Sequence, residues 1–304
     1  MSASLDRLAA GLREAGMPVQ GAPTPVPTGH ADRPVLVWDL AEARGRCGTN
    51  HVVVKRYPAQ RRAAAAVTWQ LWCSSFGASR HPPGLPEPLA WLPEQRALVM
   101  ALVEGTPMAD RGTLPGPETH AAVAHLLADL HRSGVVPGQK RGNEKVVASV
   151  RRKAADLAGS AVGAEMQVLA ESLSRCQPED PPLVACHGDF NPRNVIGGRA
   201  GPVLIDLDRV QWADPLRDVA YYGTWCYVTA RGATGIGDAE HWRAADEFTS
   251  AYEAASGGPA DPRRVRFHRA AALARVVHAW SALRSDPGTQ RGLLQEALRL
   301  LDQR

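Results

Sequence analysis

Two short runs near the N-terminus are dense in β-branched and aromatic residues: VLVWDL at 35–40 and HVVVKRY at 51–57. The stretch between them is polar and holds two glycines, so the pattern predicts a β-hairpin. APTPVP (22–27), followed by TGHADRP, predicts an earlier strand and a turn. Next comes RRAAAAVTWQLWCSS, whose alanines favour helix, and then LPEPLAW and RALVMALVEG, which read as two more strands. The order strand, strand, strand, helix, strand, strand predicts a small antiparallel lobe.

After Gly105 the period changes from two to 3.6. ETHAAVAHLLADLHRSG places Val123, Leu126, Leu127 and Leu130 on one helical face and stops at a glycine, as an amphipathic helix should. Residues 144–175 continue in helical pattern, EDPPL interrupts it, and VACHGDFNPRNVI follows. Residues 195–205 read as a short hairpin turning at GGRAG, and everything beyond Asp214 is helical by pattern. The fold class expected is therefore α+β and bilobal, with residues 1–103 as the sheet lobe and 104–304 as a larger helical lobe.

Composition narrows the class. The chain has 304 residues, 44% of them apolar and 22% charged, enough to bury a core in each of two lobes. No run approaches the roughly 20 apolar residues that span a bilayer, so a cytoplasmic location with no membrane partner is expected, and no nucleic-acid partner. Five widely spaced cysteines without a CxxC pair indicate neither a disulfide frame nor a zinc site. The net charge of +4 is unevenly spread. Seven Lys or Arg lie between His131 and Leu157, and nine Arg follow Asp261.

The chemistry concentrates in residues 187–208. Asp189 and Asn194 lie five apart in the loop HGDFNPRN, and IDLDRV carries Asp206 and Asp208 at the end of a second apolar strand. Magnesium takes hard oxygen ligands from a few side chains plus phosphates, so Asn194 and Asp206 suit the ion while Asp189 stays free. A free carboxylate aimed at an acceptor hydroxyl can orient it and take its proton during phosphoryl transfer.

HGDFNPRN followed by IDLDRVQWADPLRDVA resembles the catalytic and metal-binding segment of the aminoglycoside phosphotransferase and choline kinase family, relatives of protein kinases. VVVKRY resembles that family's nucleotide-lysine strand, ALVMALVEGTPM its hinge and HLLADLH its first large-lobe helix, so the landmarks run in order over roughly residues 25–285. The resemblance implies a protein-kinase-like fold, with ATP or GTP as co-substrate and Mg2+ as cofactor. It implies Asp189 as the catalytic carboxylate, with His187 bracing its loop and counted with the catalytic residues, and Asp218 as an anchor to the loop. It implies Asn194 and Asp206 as metal ligands, with Asp208 at a second metal or the acceptor. It places Lys55 on the nucleotide phosphates, Gly29 in the turn that covers them, and the backbone of Ala101 and Val103 against the base. His131 is expected to be structural.

One departure stands out. The family's lysine is normally held by a Glu on the following helix, yet there is no Asp or Glu between Lys55 and Glu87. Gln70, a more distant acid or a loosely held lysine are the alternatives, and Gln70 is counted with the nucleotide-binding residues. Two Arg-rich stretches, Arg151 to Lys153 and RRVRFHR (263–269), favour a neutral or acidic acceptor over a polycationic sugar. Three functional readings stand: a kinase for a hydroxyl of an antibiotic, nucleoside, sugar or amino alcohol, in resistance or biosynthesis; a Ser/Thr kinase in ribosomal-peptide maturation working beside a partner lyase; and a non-catalytic nucleotide-binding pseudokinase.

Overall fold

The computed structural model describes residues 2–26, 35–45, 48–58, 62–108, 114–234, 238–282 and 286–303. Along the chain the elements are α1 (Ser2–Glu14), β1 (Val19–Val26), β2 (Val35–Arg44), β3 (Thr49–Arg56), α2 (Arg62–Trp72), β4 (Pro88–Leu92), β5 (Ala97–Ala101), β6 (Thr106–Pro107), α3 (Pro117–His131), β7 (Lys140–Arg141), α4 (Asn143–Asp156) and α5 (Gly163–Arg175). They continue with β8 (Val184–Cys186), β9 (Val195–Gly198), β10 (Gly201–Leu204), β11 (Gln211–Ala213), α6 (Leu216–Thr234), α7 (Asp238–His241), α8 (Arg243–Ser256), α9 (Pro262–Ala282) and α10 (Pro287–Asp302). The chain divides into two compact units, residues 1–106 with 196–209, and 107–195 with 210–304.

The first unit is built on an antiparallel sheet in the order β1-β2-β3-β5-β4. Side chains alternate across a pleated sheet, and here the alternation assigns each face a partner. Leu36, Trp38, Leu40, Val52, Val54, Ala97 and Val99 point one way and pack with Leu8, Leu12 and Met17 from α1 and its exit. Tyr57 and Leu98 point the other way, against Ala65 of α2. Lys55 shares the parity of Tyr57 and pairs in register with Val35 and Leu98. It therefore emerges on the α2 face.

The segment 196–209, assigned by sequence to the helical lobe, belongs to the first unit instead. The Leu204 amide donates to the Gly84 carbonyl at 2.9 Å, α2 packs against the 3-10 turn Leu207–Arg209, and Asp206 and Asp208 meet Lys55. Gly105, at φ +145°, passes so close to this hairpin that a Cβ would sit 2.4 Å from the Gly197 carbonyl oxygen. Only glycine fits both the angle and the gap.

The second unit is mostly helical. Its main core joins α4, α5, α9 and α10 through Val150, Leu169, Leu173, Phe267, Leu273 and Leu293, among others. The helical pattern over 144–175 is realised as two helices, broken between Asp156 and Gly163. A small sheet, β7-β11-β8, runs beside them, with β11 parallel to β7 and antiparallel to β8. β8 delivers the chain directly into HGDFNPRN.

Candidate active site

In the first unit, Lys55 is the nucleus. Its side chain is nearly buried, and Nζ lies 2.5 Å from Asp206 Oδ1 and 2.8 Å from Asp208 Oδ1. The ammonium also lies over the Tyr57 ring, 5.6 Å from its centroid. The two carboxylates differ in environment: the Asp208 side chain is 3% exposed and that of Asp206 is 41% exposed. Asp208 is thus a fixed counter-charge to Lys55, and Asp206 is the partner with access to solvent. Asp206 also adopts φ +60°, a left-handed conformation that costs a non-glycine residue on the order of 1–2 kcal/mol. Such strain persists where the surroundings hold it in place, and it collects at functional sites.

This arrangement corrects two expectations. Gln70 does not hold Lys55: the buried face of α2 is made by Ala65, Thr68, Leu71 and Trp72, and Gln70 falls off that face and is exposed. An acid distant in sequence takes the role. Asp208, expected at a second metal or the acceptor, is buried against Lys55 instead.

Two hinge residues also part company. The Ala101 amide is spent on the Glu87 carbonyl at 2.8 Å, and that of Leu102 on the His51 carbonyl at 3.1 Å. Ala101 therefore cannot offer a donor to a base. Val103 is half-buried and makes no backbone hydrogen bond among the described residues. Gly29 lies outside the described residues.

In the second unit the loop 187–194 is braced from behind. Asp218, in the first turn of α6, accepts from the His187 amide at 2.6 Å and the Gly188 amide at 2.9 Å. Its carboxylate is 3.6 Å from His131 Nε2, and His131 Nδ1 is 2.7 Å from the Tyr252 hydroxyl. Burial by itself raises the Asp218 carboxyl, but the adjacent His131, with the charge of Arg217, holds it below the usual value. Gly188 adopts φ +76°, the turn that lets two successive amides reach one carboxylate. The expected anchor role of Asp218 and structural role of His131 match this geometry.

His187 is fully buried, and its Nδ1 accepts from the Asp189 amide at 3.2 Å. An accepting Nδ1 leaves the ring proton on Nε2. Buried in this way, His187 is a positioning residue rather than a catalytic one, which corrects its place among the catalytic set.

Asp189 is 19% exposed and receives Arg275 from α9: Nη2 donates to its Oδ1 at 2.7 Å and Nη1 donates to the Gly188 carbonyl at 3.1 Å. The same guanidinium stacks on Tyr221 of α6, 4.3 Å from the ring centroid. Asn194 closes the loop, its amide nitrogen donating to the Asp189 carbonyl at 2.9 Å. Its Oδ1 has no partner among the described residues. With the nitrogen committed, the oxygen is the free end of that carboxamide, as a hard cation requires.

Arg275 and Tyr221 escaped the sequence reading. The signal was present: Arg264, His268 and Arg275 recur at helical spacing along the otherwise apolar buried stripe of α9. Arg264 and His268 both serve Asp214, Arg264 Nε at 2.9 Å and His268 Nε2 at 3.0 Å, and the Asp214 carboxylate in turn caps α6 at the Leu216 amide. Burial by itself raises Asp214, but the adjacent His268 and the hydrogen-bonded Arg264 hold it well below the usual carboxylate range.

Those pairings also correct the argument from the Arg-rich stretches. Arg269 is spent on Asp246 at 2.8 Å and on the Trp242 ring. Arg151 and Arg152 are exposed on α4, the former bonded to Ser174 at 2.8 Å. These charges are internal ion pairs or a solvated helix face. They say nothing about the acceptor.

The sequence profile of the phosphotransferase enzyme family matches residues 24–268. No curated protein matches the chain. Among solved structures, choline kinase LicA from Streptococcus pneumoniae superposes with a TM-score of 0.66 at 11% identity, covering 97% of this chain and 98% of that one. Macrolide 2'-phosphotransferase MphH from Brachybacterium faecium gives 0.59 at 17% identity, covering 99% of each chain. A spectinomycin phosphotransferase in complex with ADP and spectinomycin gives 0.61 at 12% identity, covering 97% and 93%. These similarities establish the kinase-like fold, and the profile spans most of the chain. The protein belongs to the phosphotransferase enzyme family and is a kinase whose acceptor is an alcohol.

Proposed function

We propose that the protein transfers the γ-phosphoryl group of ATP or GTP to a hydroxyl of a small molecule. The observation that carries this reading is Asp189, a carboxylate fixed by a rigid loop and one guanidinium fork while still reachable from solvent. In the transfer, the bond between the γ-phosphorus and its bridging oxygen breaks and the nucleoside diphosphate leaves. A bond forms from phosphorus to the acceptor oxygen, and the hydroxyl proton passes to Asp189. His187, Asp218 and Arg275 hold the loop for that step. Lys55 contacts the nucleotide phosphates, restrained by the buried Asp208, and Val103 offers its backbone to the base. Gly29 remains in this reading as a residue of the phosphate-covering turn.

Asn194 and Asp206 are the residues that would hold magnesium. The donor set fits: a carboxamide oxygen with no other partner and an exposed carboxylate on a strained backbone. Bound there, the ion would neutralise phosphate charge. Intact Asp189, Asn194 and Asp206 weigh against a non-catalytic reading, and no residue of the described chain favours a peptide acceptor or a partner lyase.

The test is release of nucleoside diphosphate with Mg-ATP against a panel of hydroxylated antibiotics, nucleosides, sugars and amino alcohols. Acceptor-dependent turnover is expected with at least one class, and Asp189→Asn should abolish it while Mg-ATP still binds. Full turnover by Asp189→Asn would overturn the assignment.

A further inference from the structure

Beside Asp189 the second unit carries a run of arginine and aromatic side chains in continuous contact. Arg275 holds Asp189 and stacks on Tyr221. Tyr221 meets Trp225, one helical turn further along α6, edge to face with ring centroids 6.4 Å apart. Trp225 in turn carries the guanidinium of Arg193 at 5.0 Å, and Arg193 lies in the catalytic loop between Asp189 and Asn194.

The two guanidinium groups are not equivalent. Arg275 is neutralised by Asp189. Arg193 is exposed and has no carboxylate partner among the described residues. Its backbone is fixed, because the Arg193 amide donates to the Asn191 side chain at 3.0 Å in a 3-10 turn, and its side chain is steadied by the indole. A guanidinium positioned this way presents a planar fork of donors, the geometry that receives an oxyanion through two hydrogen bonds.

The surrounding charge points the same way. Arg217, beside Asp218, has Nη1 buried without a hydrogen-bond partner. Burial, with the charges of Arg141 and Arg275, pushes this guanidinium down to about 9. Arg193 adds a positive charge with no carboxylate partner among the described residues, four positions along the loop from Asp189, and such a charge attracts an anionic acceptor and repels a polycation.

We propose that Arg193 is an acceptor-specificity residue and that the acceptor is a small hydroxylated acid, whose carboxylate or phosphate is received by Arg193 while its hydroxyl addresses Asp189. This deepens the phosphotransferase reading and rests on it. The bonds made and broken are those given above, and the oxyanion enters no covalent step.

The experiment measures thermal stabilisation of the full chain by four probes: D-glycerate, glycerol 3-phosphate, neutral glycerol and cationic 2-aminoethanol, each with and without Mg-ATP. Wild type should be stabilised more by one or both anionic probes than by glycerol or aminoethanol, and the comparison of glycerate with glycerol 3-phosphate tells carboxylate from phosphate. Arg193→Glu should weaken the apparent affinity for the anionic probe by about tenfold or more, as expected for loss of a charge-assisted fork and reversal of its sign. Arg193→Gln should give a smaller loss in the same direction, and serves if the Glu variant does not fold. The difference should shrink as salt rises. Equal responses of wild type and the Arg193 variants, or no preference for the anionic probes, would overturn the proposal. Stabilisation by Mg-ATP is read separately: its absence counts against the kinase reading, whereas its presence without an anion preference counts against the role of Arg193 alone.

Discussion

Arg275 and Asp189 form an ion pair across 86 positions of sequence, Nη2 to Oδ1 at 2.7 Å, and the other arm of the same guanidinium reaches the Gly188 carbonyl. One side chain thereby fixes both the carboxylate and the backbone that carries it. Replacing Arg275 by Lys keeps the charge and loses the fork. Arg275→Lys should lower kcat by about tenfold, and Arg275→Met by more, since each hydrogen bond to a charged group is worth roughly 1.5–3 kcal/mol before discounting for partial exposure. Nucleotide binding should be little changed. Steady-state kinetics over varied Mg-ATP decide the matter: a loss expressed wholly in the nucleotide KM would place Arg275 elsewhere.

Lys55 sits between two carboxylates with different surroundings, so their replacements should separate. Asp208→Asn removes the buried counter-charge and should raise the nucleotide KM or lower kcat about tenfold or more, because breaking a buried pair leaves a charge poorly compensated. Gln70→Ala is an exposed change and should stay within about 0.5 kcal/mol of wild type in stability, with unchanged nucleotide kinetics. A kinetic defect in Gln70→Ala comparable with that of Asp208→Asn would restore the helix as the lysine's anchor.

The loop's shape depends on one glycine and one carboxylate. Gly188→Ala forces a Cβ onto a left-handed residue at φ +76°, at a cost on the order of 1–2 kcal/mol. Asp218→Asn can accept one amide hydrogen bond where the native side chain accepts two. Both variants should lower Tm and kcat together. A variant with native Tm and native kcat would mean that the loop tolerates a different path.

Asp214 gives stability a defined pH dependence. Its folded carboxyl is held below the usual value by His268 and Arg264, so the unfolded chain takes up a proton first as pH falls. The stabilisation is present above the unfolded value of about 3.9 and is lost as pH drops through the folded one. Asp214→Asn should therefore destabilise the protein by about 3–5 kcal/mol at neutral pH, the range for breaking a buried pair. The gap to wild type should narrow below about pH 4. Denaturant unfolding at a series of pH values reads this directly, and a gap that stayed constant with pH would remove Asp214 from the acid response.

The sequence by itself determined the order of the longer strands and helices, because the periods of two and 3.6 are local properties of the backbone and survive without knowledge of neighbours, whereas β6, β7 and β11, of two or three residues each, are too short to show a period. It also located HGDFNPRN and IDLDRV, since a loop bearing Asp189 and Asn194 and a strand ending in Asp206 are contiguous in the chain. Which side chains complete those segments was decided by tertiary structure. Lys55 meets an acid 151 positions away, because the sheet's alternation turns it toward α2, which packs against the turn that carries Asp208. Asp189 meets Arg275 because α6 and α9 pack face to face, bringing Tyr221 under the guanidinium. Burial likewise removed His187 from the reacting groups, and packing spent Arg264 and Arg269 on the carboxylates of Asp214 and Asp246. Charge counted along a chain cannot separate a free arginine such as Arg193 from a paired one, because pairing depends on distances that only the packed fold sets.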